Sequence, residues 1–222
     1  MYLESGRIFI TRNLQEMVGK TGQQEVAESV ARWVLGTIEQ LKGLSDIERA
    51  HKLYRTADGV ISNKQAAEES ICKRGCHHCC YQFVALSHAE MALIKDFIKR
   101  RGIKVGYKKI KWQSKFRNPD EYWKQYGDRT RCVFLNENND CAIYPVRPLS
   151  CRTYFSGEED PSLCTPGEEG SPQRIRIIAI PEVEVLISAL ANLEHSDSMS
   201  DGGQMFSSLP RLLLNLKKNH EI

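Results

Sequence analysis

The chain has no apolar run approaching the roughly 20 residues that a bilayer-spanning helix needs, so a membrane span is excluded. It also lacks an excess of one charge. Lys and Arg number 31 against 28 Asp and Glu, a net of +3, which is too little for the overall field to drive nucleic-acid binding. The start, Met1-Tyr-Leu-Glu-Ser-Gly-Arg7, has neither the basic opening nor the apolar stretch of a secretory signal, and the expected compartment is the cytosol. No internal repeat or low-complexity segment is present. No Gly-rich loop follows a strand pattern, as a dinucleotide site would require, and alternating βα units, the mark of a parallel α/β fold, are missing. What the chain does have is cysteine, eight in 222 residues. In a reducing compartment these read as metal ligands or redox groups before they read as disulfides.

With 41% apolar and 27% charged residues, the chain is long enough for one large domain with its own core. Apolar residues at Val26, Val30, Trp33, Val34, Ile38 and Leu41 fall on one helical face, predicting a helix over 24–41 that Gly43 stops. Ser45 and Glu48 form a capping-box pattern for a second helix ending near Asp58-Gly59. A polar third helix, 62–71, leads to Cys72. Ser87 and Glu90 repeat the capping box, with Leu86 and Met91 placed as a hydrophobic staple, and this helix stops at Gly102. Arg131–Leu135 and Cys141–Tyr144 read as the two strands of a hairpin turned by 136–140. Arg7–Ile10 reads as a short strand, 173–180 as a longer one, and helices are expected after Pro181 and from about Ser208. The expected fold class is α+β, mainly helical. An irregular cysteine-rich metal-binding core carries a small β-hairpin and an additional strand. The expected organisation is an N-terminal helical segment, 1–71, a cysteine-cluster domain, 72–180, and C-terminal helices, 181–222, packed on the same core.

Segment 102–130 reads as an insertion or mobile arm. Between Lys95 and Arg117 ten Lys/Arg residues face a single acid, Asp96. The aromatic residues Tyr107, Trp112, Phe116, Tyr122 and Trp123 interleave with or follow them. Aromatic rings among cations suit base stacking and phosphate contact, so 95–126 is a candidate nucleic-acid-binding segment, and its basic part, 95–117, a candidate surface for a protein or nucleic-acid partner. A solvated charged face is the alternative.

The densest chemistry is Cys72-Lys-Arg-Gly-Cys76-His-His-Cys79-Cys80, followed by Cys132, Cys141, Cys151 and Cys164. Thiolates take zinc or the irons of a cluster, and spacings of two or three residues set successive sulfurs around one centre. The vicinal pair Cys79-Cys80 is constrained, because neighbouring side chains of an extended chain point to opposite faces. Either an unusual turn brings both sulfurs to one metal, or they divide between two sites, or one stays free for redox work. Cys164 is a ligand or a small buried apolar residue. His77 and His78 are ligands or supporting groups beside the thiolates. The Cys-x3-Cys-x2-Cys spacing is also that of radical SAM enzymes, but their motif follows the first strand of a β/α barrel and here three helical patterns precede it.

Cys72 to Cys80, then Phe83-Val-Ala-Leu-Ser87 and Glu90, then Cys132-Val-Phe-Leu135, Cys141-Ala-Ile-Tyr144 and Arg147-Pro-Leu-Ser-Cys151-Arg152, together resemble the YkgJ-type cysteine-cluster family, also called the CxxCxxCC zinc- or iron-chelating domain. The resemblance covers about residues 72–155. The first spacing is three residues where the family often has two, and 102–130 is longer and more basic than expected. The resemblance implies metal binding, zinc or iron, including an iron-sulfur cluster, with Cys72, Cys76, Cys79, Cys80, Cys132, Cys141 and Cys151 as ligands. Flagellin lysine methylases share the cysteine cluster, so SAM-dependent methyl transfer to protein lysine is a further implied activity. Arg147 and Arg152 are candidates to hold the cofactor. Fixed guanidinium groups offset the negative charge of gathered thiolates and donate to sulfur.

Overall fold

In a computed structural model, residues 24–63, 70–72, 75–117, 119–164, 177–178, 180–187, 190 and 207–222 are described. The fold is mainly helical. Helix α1, Gln24–Leu41, is followed by α2, Asp46–Ser62, and α3, His88–Arg101. Two short helices, α4 at Tyr107–Gln113 and α5 at Pro119–Trp123, lie in the middle of the chain. Then come α6, Leu149–Arg152, α7 over 181–187, and α8, Leu209–Lys218. Strands are two residues long. β1, Ala85–Leu86, pairs antiparallel with β4, Ser207–Ser208, and β2, Phe155–Ser156, pairs antiparallel with β3, Ile177–Ile178.

Local rules set the long helices. Both capping boxes form: Ser45 and Glu48 exchange side chain–backbone hydrogen bonds at the start of α2, and Ser87 and Glu90 do so at the start of α3. Gly102 ends α3 in the left-handed region at φ +61°, where a residue with a Cβ is strained. The second helix runs on to Ser62 rather than stopping at Gly59, since an interior glycine weakens a helix without ending it.

One hydrophobic cluster joins the elements. Val34, Leu41, Leu53, Leu86, Leu93, Ile94, Ile110, Phe134, Leu149, Leu186 and Leu213 are all buried in it. Helix α2 packs on α3, and α8 packs on α4. At the charged outer end, Lys95 of α3 pairs with Glu221 beyond α8.

Several expectations change. The hairpin is reduced to a single bridge between Leu135 and Cys141, because Tyr144–Val146 forms a 3-10 turn and the backbone around Cys132 bonds elsewhere. The turn itself forms: Asn136 Oδ1 accepts from the N–H groups of Asn138 and Asp140 at 2.9 and 2.8 Å. The expected helix over 62–71 lies mostly outside the described residues, and Ser70 and Ile71, which are described, are not helical. The expected strand at Arg7–Ile10 is outside them too, as are residues 173–176 of the expected strand 173–180. Segment 102–130 is no loose arm. It carries α4 and α5, and Ile110, Gln113, Tyr122 and Thr130 are buried. Tyr122, expected on the surface, packs edge-on against Phe83 and Phe116 and donates to the Thr130 carbonyl at 2.9 Å.

Candidate metal centre

The cysteine loop is shaped by its backbone. Gly75 sits at φ +88°, a conformation that glycine enters without strain. His78–Tyr81 then forms a single 3-10 turn, with the Cys80 N–H donating to the His77 carbonyl at 2.8 Å and the Gln82 N–H to the Cys79 carbonyl at 3.2 Å. Within this turn the Cys79 and Cys80 side chains interact, each altering the other's proton affinity. All eight cysteines are free thiols.

Distant segments close on this loop. The Cys132 N–H donates to the Cys80 carbonyl at 2.7 Å. A short helix, α6, places Cys151, and the bridge at Cys141 fixes the third late cysteine. Two sets of thiols act on one another electrostatically. Cys80, Cys132, Cys141 and Cys151 all feel Cys79 and largely one another. Cys76 feels Cys72, Cys79 and Cys164. Cys79 belongs to both. Cys164 is itself buried and takes its place from a 3-10 turn at Pro161–Cys164.

Backbone N–H groups two residues on, at His78, Phe134 and Ile143, favour the charged forms of Cys76, Cys132 and Cys141. The Cys72 sulfur accepts from the Ser156 N–H at 3.4 Å, while its own N–H donates to Ser70 Oγ at 3.1 Å. Ser70 Oγ in turn donates to the Ser156 carbonyl at 2.8 Å. Hydrogen bonds donated to sulfur favour the charged thiolate.

Burial works in the opposite direction. It pushes the Cys132 thiol up to about 11 and the Cys151 thiol well up, and it raises Cys76 and Cys141 against their backbone donors. In the vicinal pair, Cys80 stays a thiol as the donor, and burial adds to this, while the bond it gives holds Cys79 below the usual thiol range. Arg147 also favours charge on Cys79, Cys141 and Cys151. Its guanidinium lies 4.0 Å over the Tyr144 ring, and its buried Nε has no hydrogen-bond partner among the described residues.

Arg152, the second arginine candidate, is engaged elsewhere. Its Nη1 donates to both carboxylate oxygens of Asp58 at 2.9 and 3.0 Å, its Nε to the Arg147 carbonyl at 3.0 Å and its Nη2 to the Pro145 carbonyl at 2.6 Å. It also lies 4.3 Å over the Tyr54 ring. It braces the backbone that carries Arg147 and Cys151. His77 and His78 stack on each other with centroids 5.0 Å apart, and burial lowers the His78 imidazole.

The donor set suits a soft or borderline metal, since gathered thiols with N–H donors and a nearby guanidinium match what zinc or an iron-sulfur cluster requires. Among the described residues, no three Cys, His, Asp or Glu side chains are drawn together as a finished ligand cage. Residues outside the earlier reading also contribute: Ser70 and Ser156 at Cys72, and Lys109, whose charge acts on Cys132. Only the basic run around Lys109 left a trace in the sequence.

The chain matches no curated protein and no solved structure. Residues 71–165, the span that holds all eight cysteines, match the model of the CxxCxxCC family, described as "Putative zinc- or iron-chelating domain".

Proposed function

We propose that the chain holds zinc or an iron-sulfur cluster through Cys72, Cys76, Cys79, Cys80, Cys132, Cys141 and Cys151, with Cys164 joining the group around Cys76. The observation that carries this reading is the match of residues 71–165, with all eight cysteines, to a zinc- or iron-chelating domain. The Cys72 sulfur, which accepts from the Ser156 N–H at 3.4 Å, supports it, since a thiol that only packs needs no such donor. Arg147 supplies the fixed positive charge, with its free Nε available to donate to a thiolate. Zinc would contribute a rigid cross-link, and an iron-sulfur cluster would contribute one-electron transfer. Cys79, shared by both thiol groups, is the hinge of the site. The reduced thiols fit a reducing compartment such as the cytoplasm.

Elemental analysis and absorption spectra of protein purified without oxygen test this. The wild-type chain carries zinc, or iron with sulfide. Cys79→Ser loses most of the metal because it removes a sulfur from both groups. Cys164→Ser, which leaves Cys132, Cys141 and Cys151 in place, keeps the metal of that group. A wild-type protein free of zinc and iron would sink the reading, and so would unchanged metal content in Cys79→Ser.

A further inference from the structure

Beside the thiol groups, on the outer side of α4, lies an open recess of about 410 Å³ lined by Lys108, Lys109, Trp112, Asp128 and Arg129. Its walls are fixed. Gln113, buried on the inner side of the same helix, donates through Nε2 to the Arg129 carbonyl at 2.7 Å and to the Arg131 carbonyl at 3.0 Å. The loop is also closed on itself, since Thr130 Oγ1 donates to the Gly127 carbonyl and accepts from the Gly127 N–H. Trp112 is held from behind by Phe116, edge to face at 4.9 Å. The Arg129 guanidinium lies 5.8 Å from the centre of the indole.

Three cations line this recess against one carboxylate, Asp128. None of Lys108, Lys109 and Arg129 makes an ion pair with a described residue. A cation with no carboxylate partner among the described residues, gathered with two others around an aromatic ring, has the chemistry of phosphate contact combined with stacking. The volume lies in the range of small-ligand sites. A bare anion would use the charges and leave the indole idle. An apolar ligand would leave three cations desolvated.

We propose that this recess binds a nucleotide, its phosphate held by Lys108, Lys109 and Arg129 and its base laid against Trp112. The nucleotide is either free or part of a single strand. No cysteine lines the recess, and its binding does not depend on which metal the thiols hold, although Lys109 and Cys132 act on each other electrostatically.

The test is a titration of the full-length, metal-replete chain with adenosine monophosphate, inorganic phosphate and a mixed-sequence single-stranded oligonucleotide, followed by calorimetry and tryptophan fluorescence. Either the mononucleotide or the oligonucleotide binds, and which of them binds identifies the source of the phosphate. Lys108→Gln combined with Arg129→Gln changes two exposed side chains and weakens binding roughly tenfold or more per lost charge contact. Trp112→Leu abolishes the fluorescence change and the preference for the nucleotide over inorganic phosphate, while Trp33 still reports folding. Phosphate binding as tight as the nucleotide overturns the proposal, as does binding unchanged in the double variant. Absence of binding by both nucleotide probes up to about 1 mM also overturns it.

Discussion

The backbone N–H of Cys132 donates to the carbonyl of Cys80 at 2.7 Å, tying together two cysteines that lie fifty-two residues apart. The bond fixes where the second half of the site meets the first, independently of any sulfur. It also holds the half-buried Cys132 against the core, where desolvation dominates the proton affinity of its thiol.

That burial gives a pH dependence with opposite signs for the empty and the loaded protein. The Cys132 thiol moves from 9.0 up to about 11. A group whose folded value is raised adds stability below its unfolded value and loses it as pH rises through the folded one. The metal-free chain should therefore lose stability between about pH 9 and pH 11. Metal binding requires thiolates and releases protons, so zinc affinity should rise over the neutral to alkaline range while the empty fold weakens. Denaturant melts of metal-free protein at stepped pH, with an indicator dye to count protons released on zinc addition, measure both. Zinc uptake without proton release would contradict the thiol assignments.

The two capping boxes look alike in sequence but should not be equal in energy. Ser45–Glu48 is exposed, whereas Glu90 is 2% exposed. The Glu90 carboxylate accepts from the Ser87 N–H and hydroxyl at 2.9 and 3.0 Å, from the Leu149 N–H at 2.7 Å and from the Tyr54 hydroxyl at 3.4 Å. It thereby joins α2, α3 and the start of α6, where Cys151 sits. Ser45→Ala should cost about 1 kcal/mol, the usual value of an N-cap. Glu90→Ala strands the buried Leu149 N–H, leaves the Tyr54 hydroxyl only the Val146 carbonyl at 3.4 Å, and should cost about 3 kcal/mol or more. Urea unfolding of both variants decides this, and equal losses would mean that Glu90 is only a cap.

The long helices were legible because their signals are local: a helical apolar face in Val30, Val34, Ile38 and Leu41, and a cap three residues from its partner. The strands were not. Ala85–Leu86 finds Ser207–Ser208 across more than a hundred residues with two residues on each side, too short for any alternation to show. The hairpin failed for a related reason, since the residues around Cys132 spend their N–H groups on the Cys80 carbonyl and on sulfur rather than across a ladder. Within the site, spacing alone grouped the cysteines. It did not separate Arg147 from Arg152, because that division depends on Asp58, a residue of α2 with no motif of its own. In 102–130 the many lysines and arginines hid the inward-facing Ile110, Gln113 and Tyr122, and the segment read as an arm.

Gln113 is the sharpest check on that correction. One buried amide nitrogen serves the carbonyls of Arg129 and Arg131, so a single side chain holds the loop 127–131 to α4. Gln113→Ala should leave two carbonyls without their donor and cost roughly 1–3 kcal/mol. Gln113→Glu, of the same shape, should cost at least as much, because a carboxylate set against two carbonyls repels them where the amide donates. Hydrogen exchange should show protected amides at Thr130 and Arg131, which donate to the Gly127 carbonyl, and loss of that protection in both variants with α2 and α3 unaffected. Fast exchange at these amides in the wild-type chain would return the segment to the mobile arm its charge implies.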